Sequence, residues 1–289
     1  MRRIFSNKLF RESDFPIQTD WHELNRDVDF HAHAFTELVL VFSGQGKHTV
    51  GGAEYQIGGG DVFVINRSQE HGYCDCRDLR LVNVLFDQDQ LPLPLNELRA
   101  IPGYHALFSL EPAMRRRHAF QSRLKLTPDR MAGLDGWIED LREELEARRP
   151  GYRCMALGQL IRLISFLARY YGAESTPPQR EVISMAETMA WLEEHFAEDL
   201  RVEKLARMAH MSERSFQRAF REASGCAPIN YVNRLRMARA SELLRRTSLN
   251  VGEIAWEVGV RDANYFTRQF RKYMGITPLQ YRRQESTGK

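Results

Sequence analysis

The sequence predicts an α+β protein in two parts: a β-rich N-terminal domain ending in a helical hairpin, then an all-helical C-terminal domain. Three observations predict it. Short apolar runs with turn residues every ~8–12 positions fill Phe30 to Phe86. Three- and four-residue apolar spacing takes over after Thr127, and one helical pattern is written twice in the last third of the chain. A length of 289 residues suits two domains, each large enough for its own core. A composition 43% hydrophobic and 27% charged excludes wholesale disorder and collagen-like structure.

The strands come first. Thr36 to Phe42 is rich in β-branched and aromatic residues and stops at Ser43-Gly44-Gln45-Gly46. His48-Thr49-Val50 runs into the turn Gly51-Gly52, followed by Glu54 to Ile57. Gly58-Gly59-Gly60 and Asp61 precede Val62 to Ile65, and Leu79 to Phe86 is another strand. This spacing indicates a sandwich or small barrel. Apolar residues on both faces of Leu38–Phe42 predict a strand covered on both sides.

After a stretch broken by Pro92, Pro94, Pro102 and Pro112, the period becomes helical. Thr127 and Pro128 form a start signal, a capping residue and then proline at the first helical position. Met131, Leu134, Ile138, Leu141 and Leu145 line one face, with Glu139, Arg142, Glu143 and Glu146 opposite. A second helix, from about Tyr152 to Tyr171, is apolar around more of its circumference. This hairpin suits either a dimer surface or packing on its own β-domain. Residues 172–181, with Ser175-Thr176-Pro177-Pro178, read as a linker.

From Ile183 onward an internal repeat appears. Phe216, Phe220, Gly225, Pro228 and Tyr231 recur fifty residues later as Phe266, Phe270, Gly275, Pro278 and Tyr281. Leu205-Ala206 matches Ile254-Ala255 at forty-nine, so the two turns differ by one residue. Each copy reads as a helix-turn-helix, over 202–223 and 251–273, joined by a long helix from Asn230 to about Arg246. Ser212 and Asp262 stand where a helix needs an N-cap. Gly225 and Gly275 stand where one must end. With the phenylalanines inward, Arg214, Gln217, Arg218 and Arg221 face outward on the first second-helix, and Asn264, Thr267, Arg268 and Arg271 on the other. Arginine pairs two-pronged with guanine and glutamine with adenine, so these faces suit base reading in the major groove.

Charge supports that division. The net +3 conceals −7 up to Leu200 and +10 from Arg201 onward, so the tail is the part suited to a polyanion. Cys74, Cys76, Cys154 and Cys226 are too few and scattered for a disulfide framework. Cys74 and Cys76 lie near His71 but lack the second ligand pair of a structural zinc site. No apolar run reaches the ~18–20 residues of a membrane span, and the first residues show no signal-peptide pattern. A cytoplasmic protein with no membrane partner is the expectation.

The run Ile254-Ala255, three residues, Gly259-Val260, one residue, Asp262, two residues, Tyr265-Phe266, three residues, Phe270-Arg271, three residues, Gly275, one residue, Thr277-Pro278, two residues, Tyr281-Arg282 resembles the signature of the AraC/XylS family of bacterial transcription regulators. The resemblance covers about Ile183–Arg283, so residues 182–289 form the expected DNA-binding domain. It implies double-stranded DNA as partner, promoter activation, and base contacts from Arg214, Gln217, Arg218, Asn264, Thr267 and Arg268. Asp262 is sufficiently explained as an N-cap; the resemblance offers a second reading, since in such activators an acidic residue near this turn can also touch the sigma subunit of RNA polymerase.

In the front domain, 1–171, His31-x-His33-x3-Glu37-x6-Gly44 resembles the first motif of the cupin barrel, and Gly60-Asp61 followed by His71 the second. The second departs from pattern, with Asn66 to Glu70 where proline and glycine usually precede the histidine. The resemblance implies a cupin-like β-barrel that senses a small effector, often a sugar, through His31, His33, Glu37 and His71, in a homodimer. The same four residues are the ligand set of metal-binding cupins, so a metal site and a purely structural role stay open beside the effector pocket. Phe30 to His33, Glu37 to Val41, Asn83 to Phe86 and Trp191 to Ala197 look closest to the rhamnose-responsive branch. No catalytic residue or cofactor is expected. Two rivals are a metal-dependent cupin enzyme fused to a DNA-binding domain and an effector-independent repressor.

Overall fold

The structure is a computed structural model that describes residues 2–4, 10, 12, 14–115, 124–173 and 177–287. The chain packs as two units, Met1–Ala186 and Glu187–Lys289.

The first unit is built on eight strands: β1 Arg2–Ile4, β2 Ile17–Leu24, β3 Val28–His33, β4 Thr36–Val50, β5 Ala53–Gly58, β6 Asp61–Ile65, β7 His71–Phe86 and β8 Leu124–Lys125. β4 and β7 are the spine, paired antiparallel from Thr36↔Phe86 to Val50↔His71, with register shifts between Val41 and Lys47 that bend both strands. On the far side of β4, β6 pairs with its first half and β5 with its second. On the far side of β7, β2 pairs with Leu79–Phe86 and β3 with the start of the strand. Leu38, Leu40, Val39 and Val41 are all fully buried, which bears out a strand covered on both faces. Val39, Val41, Phe63, Ile65, Leu79 and Leu81 pack together on one of those faces.

The expected closed barrel is not what forms. The pairing path runs β1-β3-β7-β4-β6-β8 and remains an open sheet among the described residues. Its end strands are three and two residues long, too short to supply a closing ladder. The proline-broken stretch also holds more order than its sequence suggested: α1 Leu95–Arg99, α2 Pro102–His105, a π-helical turn Ala106–Leu110 and α3 Glu111–Arg115. Prolines here start helices rather than ending them, as Pro102 does at the first turn of α2. The hairpin follows as α4 Pro128–Ala147 and α5 Tyr152–Ala173, with Met131, Leu134, Ile138 and Leu141 buried as their spacing requires. The next helix, α6 Pro177–His195, already includes the last part of the 172–181 stretch read as linker, and the two units divide within it.

The second unit continues with α7 Val202–Met208, α8 Glu213–Ser224, α9 Pro228–Arg246, α10 Val251–Glu257, α11 Ala263–Met274 and α12 Pro278–Thr287. The repeat is visible in three dimensions. Phe216, Phe220, Phe266 and Phe270 are all fully buried. Phe220 meets Tyr231 edge-on at 5.4 Å and 84°, and Phe270 meets Tyr281 at 5.6 Å and 81°. The turns locate the one-residue difference. Met211 N–H donates to Ala206 O and Val260 N–H to Ala255 O, an equivalent pair at offset forty-nine. The caps Ser212 and Asp262 are fifty apart, so the extra residue is Arg261.

Candidate functional site

In each helix-turn-helix the second helix is fixed from both ends. Ser212 Oγ accepts from Ser215 N at 3.3 Å, while Asp262 Oδ1 accepts from Asn264 N at 2.8 Å and Tyr265 N at 2.9 Å. These two N–H groups hold the Asp262 carboxyl below its ordinary pKa. Gly225 and Gly275 close the helices in the left-handed conformation. With the phenylalanine pairs in the core, Arg214, Gln217, Arg218 and Arg221 are exposed together on α8. On α11, Asn264, Arg268 and Arg271 are exposed and Thr267 is half-buried. The Thr267 hydroxyl donates to Ala263 O at 2.8 Å. Sequence reasoning passed over Tyr265, exposed on the same helix with the Arg268 guanidinium 5.9 Å from its ring.

The front domain holds the second site. His31 stands directly opposite His71 across the β3–β7 pairing, and their ring centroids are 4.2 Å apart. His33 lies two residues along the same strand, and Glu37 enters from β4. His33 Nε2 is 2.9 Å and His71 Nε2 3.7 Å from Glu37 Oε2. Burial opposes ionisation of Glu37, but the contacts with His33 and His71 outweigh it and hold the carboxyl below its usual value. Burial pushes His71 down to about 4, with the Glu37 charge partly opposing, so the ring is neutral at neutral pH. One donor atom from each of His31, Glu37 and His71 lies within 4.8 Å of the others, a set able to hold a metal ion.

A cavity of about 640 Å³ opens beside this cluster. His31 and Glu37 reach its wall; His33 and His71 do not line it and sit behind, at 3% and 0% exposure. The remaining polar wall comes from residues that sequence reasoning missed: His22, Arg26, Asp27, Asp29, Tyr73 and Asn83. Both signs of charge, an amide and an aromatic ring converge there on one small volume.

A ligand-sized cavity in the first unit and a pair of capped, basic helix-turn-helix units in the second define a DNA-binding transcription regulator with a sensing domain. Residues 19–164 match the AraC-like ligand binding domain and residues 205–284 a helix-turn-helix domain. The HTH-type transcriptional activator RhaR of Escherichia coli (strain K12) is 30% identical over 255 residues, covering 87% of this chain and 86% of RhaR. RhaR of Shigella flexneri shows the same identity and coverage. The DNA-binding domain of AdpA, solved with a target DNA, is 35% identical with a TM-score of 0.36, covering 37% of this chain and 96% of that one. The chain belongs to the AraC family of transcription regulators.

Proposed function

We propose that this protein is an effector-controlled transcription activator and not an enzyme, acting in the cytoplasm as a homodimer on double-stranded DNA. Likeness to an activator over 87% of this chain and 86% of that one supports the sign of regulation. The observation that carries the DNA reading is the matched pair of recognition helices, α8 and α11, on which Arg214, Gln217, Arg218, Asn264 and Arg268 are exposed. These residues and the methyl of Thr267 read base edges, and the two units address adjacent major grooves. Residues 182–289 do this work; 1–171 sense the effector and dimerise, and 172–181 join the two. The hairpin supports the dimer: Trp137, Phe166 and Tyr170 are only half-buried on one groove beside Arg130, Arg162 and Arg169.

The effector occupies the 640 Å³ cavity, where His31 and Glu37 contact it and His33 and His71 support them from behind. A wall of carboxylates, an amide, histidines and an arginine suits a polyhydroxylated molecule such as a sugar. A ligand that binds only the native state raises the melting temperature. Melting the protein across a panel of aldoses and deoxyaldoses is therefore expected to give a rise for at least one sugar. A flat response across the panel contradicts a sugar effector and favours a front domain that only dimerises.

Asp262 carries a further role in this reading, a contact with the sigma subunit of RNA polymerase. Asn caps a helix as well as Asp does but lacks the charge. Asp262→Asn is expected to keep operator affinity within about twofold while transcription activation falls several-fold. Unchanged transcription reduces Asp262 to its capping role.

A further inference from the structure

The loop behind the cavity is tied to the hairpin by a chain of hydrogen bonds. Residues 66–69 connect β6 to β7 and close on themselves: Asn66 N donates to Gln69 Oε1 and Gln69 N to Asn66 O, both at 3.2 Å. The loop also holds the two histidines that sit behind the cavity wall. Ser68 N donates to His33 O at 2.8 Å, and His71 Nδ1 donates to Gln69 O at 3.0 Å. Ser68 adopts φ 60°, in the left-handed region uncommon for residues other than glycine. Such strain persists where its surroundings over-determine it, and it gathers at switch regions.

The other side of this loop reaches the helical stretch that follows the sheet. Asn66 Nδ2 donates to Phe108 O at 3.1 Å. Phe108 lies inside the π-helical turn Ala106–Leu110, which interrupts a helix running from Pro102 to Arg115. A π turn differs from an α turn by one step of hydrogen-bond register, so the same residues have two discrete arrangements. Both sides of the turn are held by α5. Gly103 lies so near that a Cβ there would fall 1.9 Å from Ala168 O. Three residues beyond Phe108, Glu111 accepts from the Tyr171 hydroxyl at 2.8 Å, with Glu111 at 0% and Tyr171 at 1% exposure. Tyr171 stands in the last turn of α5, directly before residues 172–181.

We propose that loop 66–69, the π-helical turn and the Glu111–Tyr171 pair form a relay coupling the cavity to the end of the hairpin, with Asn66 and Tyr171 as positioning residues and the π turn as the element that switches. An occupant against His31 and Glu37 moves the histidines behind them and so moves the loop. Asn66 passes that movement to Phe108 O. Because Gly103 is fixed against α5, changing the π turn to an α turn swings Glu111 about the helix axis. Tyr171 then loses its acceptor and the last turn of α5 loosens. The cavity's part in driving the relay rests on the effector reading given above; the coupling of loop to hairpin end does not. Linkage runs both ways, so a change at Tyr171 must be felt at the loop.

Amide hydrogen exchange of the full chain, read by mass spectrometry of its peptides, tests the relay without any ligand. Asn66→Ala is expected to speed exchange at 164–173 about fivefold, the worth of one hydrogen bond, and Tyr171→Phe to speed exchange at 66–71 by a similar factor. Arg142→Ala, which breaks the ion pairs of Arg142 with Glu139 and Glu146 on α4, is expected to leave 66–71 as in the parent. Changes confined to the neighbours of each substitution overturn the relay. Exchange that rises by the same factor in β4 reports a loss of global stability and overturns it too. L-rhamnose is then added as the probe of the cavity. Slower exchange at 66–71 and 164–173 together in the parent, with the second change lost in Asn66→Ala while the rise in melting temperature remains, supports the cavity as the input. Protection at 66–71 alone overturns that coupling and leaves the effector reading standing. No rise in melting temperature and no protection counts against the sugar reading, while reciprocal exchange in the two variants still upholds the coupling.

Discussion

Gly259→Ala is expected to unfold the second unit and abolish operator binding, with the first unit still folded. A Cβ at Gly259 falls 2.0 Å from Ala197 O, well inside any real contact, on a backbone at φ +76°. His210 occupies the matching place in the first turn at φ 53° with a full side chain, so that conformation is tolerable at roughly 1–2 kcal/mol. The overlap with Ala197 is the difference. It forces the turn between α10 and α11 away from the preceding segment and loosens the packing of Val258, Val260, Phe266 and Phe270. The combined cost is about 3 kcal/mol or more, a large part of a domain's stability. Denaturant unfolding of the full chain followed by circular dichroism reads it out. Parent-like unfolding midpoints together with parent-like operator affinity contradict the proposed packing.

Arg218→Ala and Arg268→Ala are each expected to lose ~1–3 kcal/mol of discrimination between operator and random DNA, about 5- to 150-fold. Both side chains project from helices whose buried faces they do not share. Arg218 is 73% exposed and reaches Glu222 only at 3.9 Å, so removing it leaves the fold intact. The phosphate contacts of the remaining basic residues persist, so affinity for random DNA falls far less than affinity for the operator. Competition binding at fixed salt measures the ratio. A ratio unchanged in both variants removes these arginines from base reading.

The helical half was legible because its information is local. Phenylalanines one turn apart, a cap before them and a glycine after them define each recognition helix without reference to anything distant, and the repeat supplied a second copy as a check. The strands of the front domain were legible in part: Val62 to Ile65 and Leu79 to Phe86 stand as read, but β4 runs on through Ser43–Gly46 to Val50, β7 starts at His71, and β2 was not read. Closure was not, because it depends on whether β1 and β8 find each other, and a two-residue strand carries no pattern that tells. The cavity was half legible for a related reason. His31, His33, Glu37 and His71 stand out as residue types, but only the register that places His31 opposite His71 shows which of them reach the cavity. Arg26, Asp27 and Asn83 join the wall from separate strands and turns, so no sequence spacing links them.

Selection of binding sites from random double-stranded DNA by the full chain, with and without candidate sugars, tests the central claim most directly. The account predicts an enriched sequence with two half-motifs about one helical turn, ~10 base pairs, apart, one for each recognition helix. Enrichment rises when the effector is present, and it is lost from the half-motif whose arginine has been replaced. A selected pool no different from the starting library, with and without sugar, contradicts it.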